Sequence, residues 1–120
     1  MPRRSKTDKA ELFSHYWRVL RGGTQLSHRD PVEEYNFDAP RKHRYDFAWV
    51  EQKIAIEIDG NAWRTKGGGS HGSDTDREKR NIGVMLGWSV FYFSPQMMNN
   101  DPQACIDMVC AKLAAATIPF

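Results

Sequence analysis

From Asp8 to Arg21 the apolar residues Leu12, Phe13, Tyr16, Trp17, Val19 and Leu20 recur at helical spacing, and Gly22-Gly23 ends the pattern. This stretch predicts an amphipathic first helix. EEYNFD (33–38) and HRYDFAWV (43–50) instead alternate with period two, and Ala39-Pro40 between them reads as the turn of an antiparallel pair. After a Glu51-Gln52 turn comes KIAIEID (53–59), a β-branched run closed by Gly60. A glycine-rich loop, Gly60 to Gly72, leads into SDTDRE, where Thr75 and Glu78 have the spacing of a capping box. The second helix is expected to reach Leu86, stop at Gly87 and hand over to a strand from Trp88 to Phe93. Asp101-Pro102 opens a last helix with Ile106, Val109, Cys110 and Leu113 on one face. The predicted order is α-β-β-β-α-β-α, an α/β fold in which a small mixed sheet is flanked by helices.

The alternation also sorts the strand faces. In HRYDFAWV the bulky Tyr45, Phe47 and Trp49 share one face and Asp46, Ala48 and Val50 the other. In KIAIEID, Ile54, Ile56 and Ile58 take one face, leaving Ala55, Glu57 and Asp59 opposite. If the two strands pair, their acidic faces coincide. Carboxylates crowded on one patch raise one another's pKa unless a cation neutralises them. An all-oxygen cluster of this kind suits Mg²⁺ or Mn²⁺, which need few protein carboxylates and leave room for water and phosphate. A lone acidic pair on a strand would sooner face water; the two neighbouring strand ends and the loop that follows favour the site.

Composition narrows the class. With 120 residues the chain is expected to form one domain, and 40% hydrophobic and 27% charged residues describe a soluble globular protein. No run approaches the roughly 20 apolar residues of a membrane span and no signal segment precedes the first helix, so the expectation is a cytoplasmic protein without membrane or small-molecule cofactor. Cys105 and Cys110 lie five apart and match neither a redox pair nor a zinc pattern, and both read as reduced core residues. Net charge is only +2, but residues 1–44 hold ten Lys/Arg against six Asp/Glu, leaving seven against nine in the rest. That asymmetry suits a protein that meets a polyanion on one side, although a solvated basic face explains it equally well.

Six segments in order, EYNF, RYDFAW, IAIEIDG, GGGSHG, DREKRN and GWSVFYF, resemble the PD-(D/E)XK nuclease superfamily, and within it the small phage and bacterial proteins related to very-short-patch repair endonucleases. The resemblance spans about Glu34 to Asn99 and implies a restriction-endonuclease-like core over residues 1–120, with 1–7 as a flexible basic tail. Asp46, ten intervening residues and Glu57-Ile58-Asp59 look like the family's acidic core, except that Asp59 stands where the family usually has lysine. Lys79, on the same helical face as Asp76, is the candidate replacement.

The implied activity is Mg²⁺- or Mn²⁺-dependent hydrolysis of DNA phosphodiesters, in a bacterium or a phage-infected host. Asp46 and Glu57 would hold the cation, with Asp59 as a further ligand, and Lys79 would position water or offset charge on the phosphate. His71 and Asp76 resemble the histidine and aspartate that very-short-patch enzymes add, His71 as general acid or water orienter; an exposed loop histidine and an ordinary first-turn acid are equally fair readings. Glu11, on the polar face of the first helix with His15 and Arg18, is a possible extra acid, more simply a solvated one. Arg41, Lys42, Arg44, Arg64 and Lys66 would contact backbone phosphates, and Trp63 would anchor the loop or stack on a base. With no separate reader domain, a nick, flap or four-way junction is as natural a target as a short sequence. Alternatives are a dimeric Holliday-junction resolvase, a DNA-binding module of this fold without catalysis, or an α/β interaction domain with a solvated acidic strand.

Overall fold

A computed structural model describes residues 4–21, 30–59 and 73–116. The elements are α1 (Arg4–Leu20), β1 (Val32–Asn36), β2 (Arg44–Trp49), β3 (Ile54–Ile58), α2 (Asp74–Met85), β4 (Ser89–Phe93), α3 (Pro95–Asn100) and α4 (Pro102–Ala116). The short α3 interrupts the predicted order. Ser94 caps it by accepting the Met97 N–H, and Pro95 fits the first turn, a local signal that the apolar periodicity did not carry. The strands form one sheet in the order β1-β2-β3-β4, with β1, β2 and β3 antiparallel in turn and β4 parallel to β3.

Helices cover both faces of the sheet. Phe13 and Trp17 of α1, Met98 of α3 and Ile106, Val109 and Leu113 of α4 bury one face against Phe47, Trp49, Ile54, Ile56, Ile58 and Phe93. The opposite face belongs to α2: there Ile82, Trp88, Val90 and Tyr35 surround Phe37, Tyr45, Ala48 and Ala55. α2 approaches this face closely at Gly83, which lies against the Tyr45 hydroxyl. Cys105 is buried, Cys110 partly so, and both are free thiols raised above the usual value by burial.

α2 begins two residues earlier than the capping-box spacing suggests. Ser73 is its cap, with the hydroxyl accepting the Asp76 N–H at 3.0 Å. Its end follows the expected glycine stop: Gly87 has φ +88°, the Trp88 N–H reaches the Gly83 carbonyl and the Gly87 N–H that of Val84. Lys53, from the β2–β3 turn, donates its ammonium to the Leu86 carbonyl at 2.8 Å and so neutralises the negative end of the helix.

Tyr45 departs from the expected faces. The pair Glu33↔Phe47 lies toward α1, whereas Tyr35↔Tyr45 packs toward α2. Between them Glu34 has φ +54°, a left-handed conformation that breaks the alternation of β1, and β2 follows it. Tyr45 therefore joins the acidic face, stacked on Phe37 at 3.9 Å and against Trp88 at 5.1 Å.

Candidate functional site

The β2–β3 ladder runs from Trp49↔Ile54 to Phe47↔Ile56. One step further the same register sets Asp46 opposite Glu57, and there side chains replace backbone partners. The Asp46 N–H donates to Glu57 Oε2 at 3.1 Å, and the Ile58 N–H donates to Asp46 Oδ2 at 2.7 Å. Each carboxylate thus satisfies a backbone donor that the ending ladder leaves over, which fixes both where the β2–β3 pairing stops. From α2, Lys79 Nζ donates to Glu57 Oε1 at 3.0 Å, with both side chains about four-fifths buried, at 21% and 19% exposure.

Burial raises the Glu57 carboxyl to about 7, the neighbouring Asp46 adds to the rise, and Lys79 works against it. The Lys79 ammonium also lies 5.6 Å from the centre of the Tyr45 ring. Beneath it the Tyr45 hydroxyl, buried and without a hydrogen-bonding partner among the described residues, sits against Gly83 where any Cβ would have to go. Burial, Tyr92 and Glu57 raise the Tyr45 phenol, so it stays protonated.

The sequence-derived candidates divide into groups. Asp46, Glu57 and Lys79 come together as a bonded unit. Asp59 is half-buried at the end of β3, where its N–H pairs with the Phe93 carbonyl at 2.8 Å. Among the described residues no three His, Cys, Asp or Glu side chains form a group able to hold a metal ion, so the expected cluster of Asp46, Glu57 and Asp59 reduces to the facing pair. Asp76 lies on the sheet-facing side of α2 and meets Arg80 Nε at 3.5 Å. Glu11 is exposed on α1, the helix that covers the opposite face of the sheet. Arg41, Lys42 and Arg44 are exposed around the β1–β2 hairpin, Arg41 bonded to Asp38 at 3.0 Å and Arg44 3.9 Å from Glu34. Arg41 also lines a groove with Arg77, Glu78 and Asn81 of α2. His71, Arg64, Lys66 and Trp63 lie outside the described residues.

Tyr45, Gly83, Tyr92 and Arg80 belong to the surroundings of the pair but carry no motif. Tyr92 is the register partner of Glu57 on β4. Its place beside the carboxylates depends on strand register, which the sequence pattern leaves open, although alternation alone separates it from Phe91 and Phe93.

The facing pair is made of hard oxygen donors. It offers two oxygen ligands from adjacent strands, in a setting where burial and mutual repulsion disfavour the ionised pair and a cation would restore it. No family model, curated protein or solved structure matches this chain. No helix among the described residues is long and apolar enough to cross a membrane.

Proposed function

We propose that this chain is a metal-dependent DNA endonuclease of the PD-(D/E)XK type, with Asp46 and Glu57 as metal ligands and Lys79 in the role of the family's lysine. The observation that carries the reading is the grip on Glu57: one oxygen takes the Asp46 N–H and the other the Lys79 ammonium. A carboxylate pair with a lysine delivered by the following helix suits phosphodiester hydrolysis, whereas a merely solvated acidic strand has no use for a buried, bonded Glu57–Lys79 pair.

In the hydrolysis, a water oxygen forms a bond to phosphorus, the bond from phosphorus to the leaving sugar oxygen breaks, and negative charge gathers on the phosphoryl oxygens. A divalent cation bound by Asp46 and Glu57 would supply Lewis-acid activation of the water and the phosphate. Lys79 stands beside Glu57 Oε1, so its ammonium can hold the water or offset the phosphoryl charge. The Tyr45 ring lies under the Lys79 ammonium, its centre 5.6 Å away, and would help to hold it beside Glu57. The exposed Arg41, Lys42 and Arg44 would meet the DNA backbone without regard to sequence. Substrate choice then rests on DNA structure, such as a nick, flap or junction, and a junction-resolving form would be a dimer.

The test is cleavage of supercoiled plasmid and of labelled nicked and branched oligonucleotides with Mg²⁺, Mn²⁺ or EDTA, comparing wild type with Glu57→Ala. Metal-dependent cutting that falls at least about 10³-fold in the variant is expected, equivalent to some 4 kcal/mol of transition-state stabilisation. A folded wild type that binds these DNAs and cuts none of them would replace the nuclease by a DNA-binding module that lacks catalysis. Mass measured in solution, alone and with a four-way junction, separates a monomeric nicking enzyme from a dimeric resolvase.

A further inference from the structure

Next to Glu57 on the α2 face of the sheet stands Tyr92, its partner in the parallel β3–β4 register. Phe93 on the same strand is buried toward α1 and α4, and Phe91 packs against that same core. Alternation therefore turns Tyr92 the other way, completing a row of Asp46, Glu57 and Tyr92 across three adjacent strands. The phenol is 38% exposed at the edge of this row. Over its ring lies the Arg80 guanidinium, 4.6 Å from the ring centre. Arg80 is half exposed, and its Nε stands 3.5 Å from Asp76 one turn earlier on α2, too long for a strong charge-assisted bond.

A flat cation braced on an aromatic face and loosely held by an acid is prepared to exchange that acid for a stronger anion. The surroundings call for such an anion partner. A phosphodiester approaching Asp46 and Glu57 meets two carboxylates, and Lys79 is already engaged with one of them. A guanidinium one strand along offsets that repulsion and offers the planar donor pair that matches two oxygens of one phosphate. We infer that Arg80 is a phosphate-binding residue of this site, taking a DNA backbone phosphate beside the one at Glu57, with Tyr92 as the positioning residue that holds its guanidinium flat. This rests on the nuclease reading of Asp46, Glu57 and Lys79.

The experiment has two arms. In EDTA, binding of a fluorescein-labelled nicked duplex and of a labelled four-way junction is followed by anisotropy over a range of salt concentrations, for wild type, Glu57→Gln, Arg80→Ala, Arg80→Lys, Tyr92→Ala and Tyr92→Phe. In Mg²⁺, kcat and KM for cleavage are measured on the same proteins, each first shown to be folded by its thermal melt.

Arg80→Ala is expected to weaken binding about 3- to 30-fold and to lower the salt slope by about one phosphate contact. Arg80→Lys keeps the charge and loses the stacked plane, so it recovers only part of that affinity. Tyr92→Ala loses affinity as Arg80→Ala does, the double variant is no weaker than the worse single, and Tyr92→Phe restores most of the loss. In cleavage the loss at Arg80 appears mainly in KM, whereas Glu57→Gln binds DNA and loses kcat. Wild-type affinity and salt slope in Arg80→Ala would overturn the inference, while the loss of kcat in Glu57→Gln would leave the nuclease reading standing. A folded wild type with no affinity for either DNA would overturn both.

Discussion

The two faces of the sheet are built on opposite principles. Toward α1, α3 and α4 it presents Phe47, Trp49, three isoleucines and Phe93, packed against Phe13, Trp17, Met98, Ile106, Val109 and Leu113. Phe13 packs on Phe47 at 4.7 Å and Trp17 on Trp49 at 5.1 Å. Toward α2 it presents two alanines, a tyrosine whose hydroxyl finds no partner among the described residues, and a carboxylate whose ionisation burial opposes. The first face supplies cohesion and the second holds charge in place. A sheet stabilised so fully on one side can tolerate on the other a group that folding disfavours, and such groups tend to mark functional sites.

That division predicts where damage is largest. Phe13 is fully buried in the apolar face, so Phe13→Ala leaves a cavity and is expected to lower stability by about 3–5 kcal/mol. Urea unfolding measures this. Cleavage per folded molecule should be unchanged, because Phe13 is separated from the carboxylates by the sheet. If cleavage falls out of proportion to the folded fraction, the two faces are not independent.

How far the sequence revealed this arrangement differs between the faces for the same reason. Period-two alternation placed Phe47, Trp49 and the isoleucines correctly because nothing interrupts the apolar side of β2 and β3. It misplaced Tyr45, because the positive φ of Glu34 shifts the pleat on β1 and nothing in EEYNFD announces a left-handed glutamate. Asp46 and Glu57 were legible as a pair through matching parity on two neighbouring strands. Their exchange of backbone N–H bonds was not, because it arises only where the ladder stops. Lys79 enters through the family resemblance, which allows a lysine from the following helix, whereas Arg80 and Tyr92 meet through tertiary register that no local pattern encodes. The Ser73 cap was missed by a more local error: Thr75-x-x-Glu78 imitates a capping box two residues inside the helix.

The charged face gives the next effect, a pH dependence of opposite sign to that of most structural carboxylates. The Glu57 carboxyl stands at about 7 in the folded chain against an ordinary 4.5, chiefly through burial. Between those values the folded protein binds more protons at this site than the unfolded chain, so its contribution to stability falls as pH rises from about 4.5 to about 7 and is level above. The full effect is on the order of 3 kcal/mol. Urea unfolding in EDTA from pH 5 to 8 should show a wild-type decline that Glu57→Gln lacks. Mg²⁺ at pH 7.5 should then raise the wild-type Tm and leave that of Glu57→Gln unmoved. Identical pH profiles for the two proteins would mean that Glu57 does not carry this strain.

The smallest effect tests how α2 is seated. A glycine inside a helix ordinarily gives way to alanine with a gain of about 1 kcal/mol. At Gly83 the sign should reverse, because the added methyl would occupy the place of the Tyr45 hydroxyl. Gly83→Ala is expected to lower stability by about 1–3 kcal/mol through overpacking. It should also reduce cleavage, since the displaced Tyr45 ring supports Lys79. Tyr45→Phe alone should stay within about 1 kcal/mol of wild type, because it removes a buried hydroxyl that has no hydrogen bond to lose among the described residues. In the double variant the phenylalanine clears the space the new methyl needs, so most of the Gly83→Ala loss should vanish and the cycle should show coupling of at least about 1 kcal/mol. Additive effects would mean that α2 moves aside instead of pressing on Tyr45, and the lysine support would then have to come from Glu57 alone.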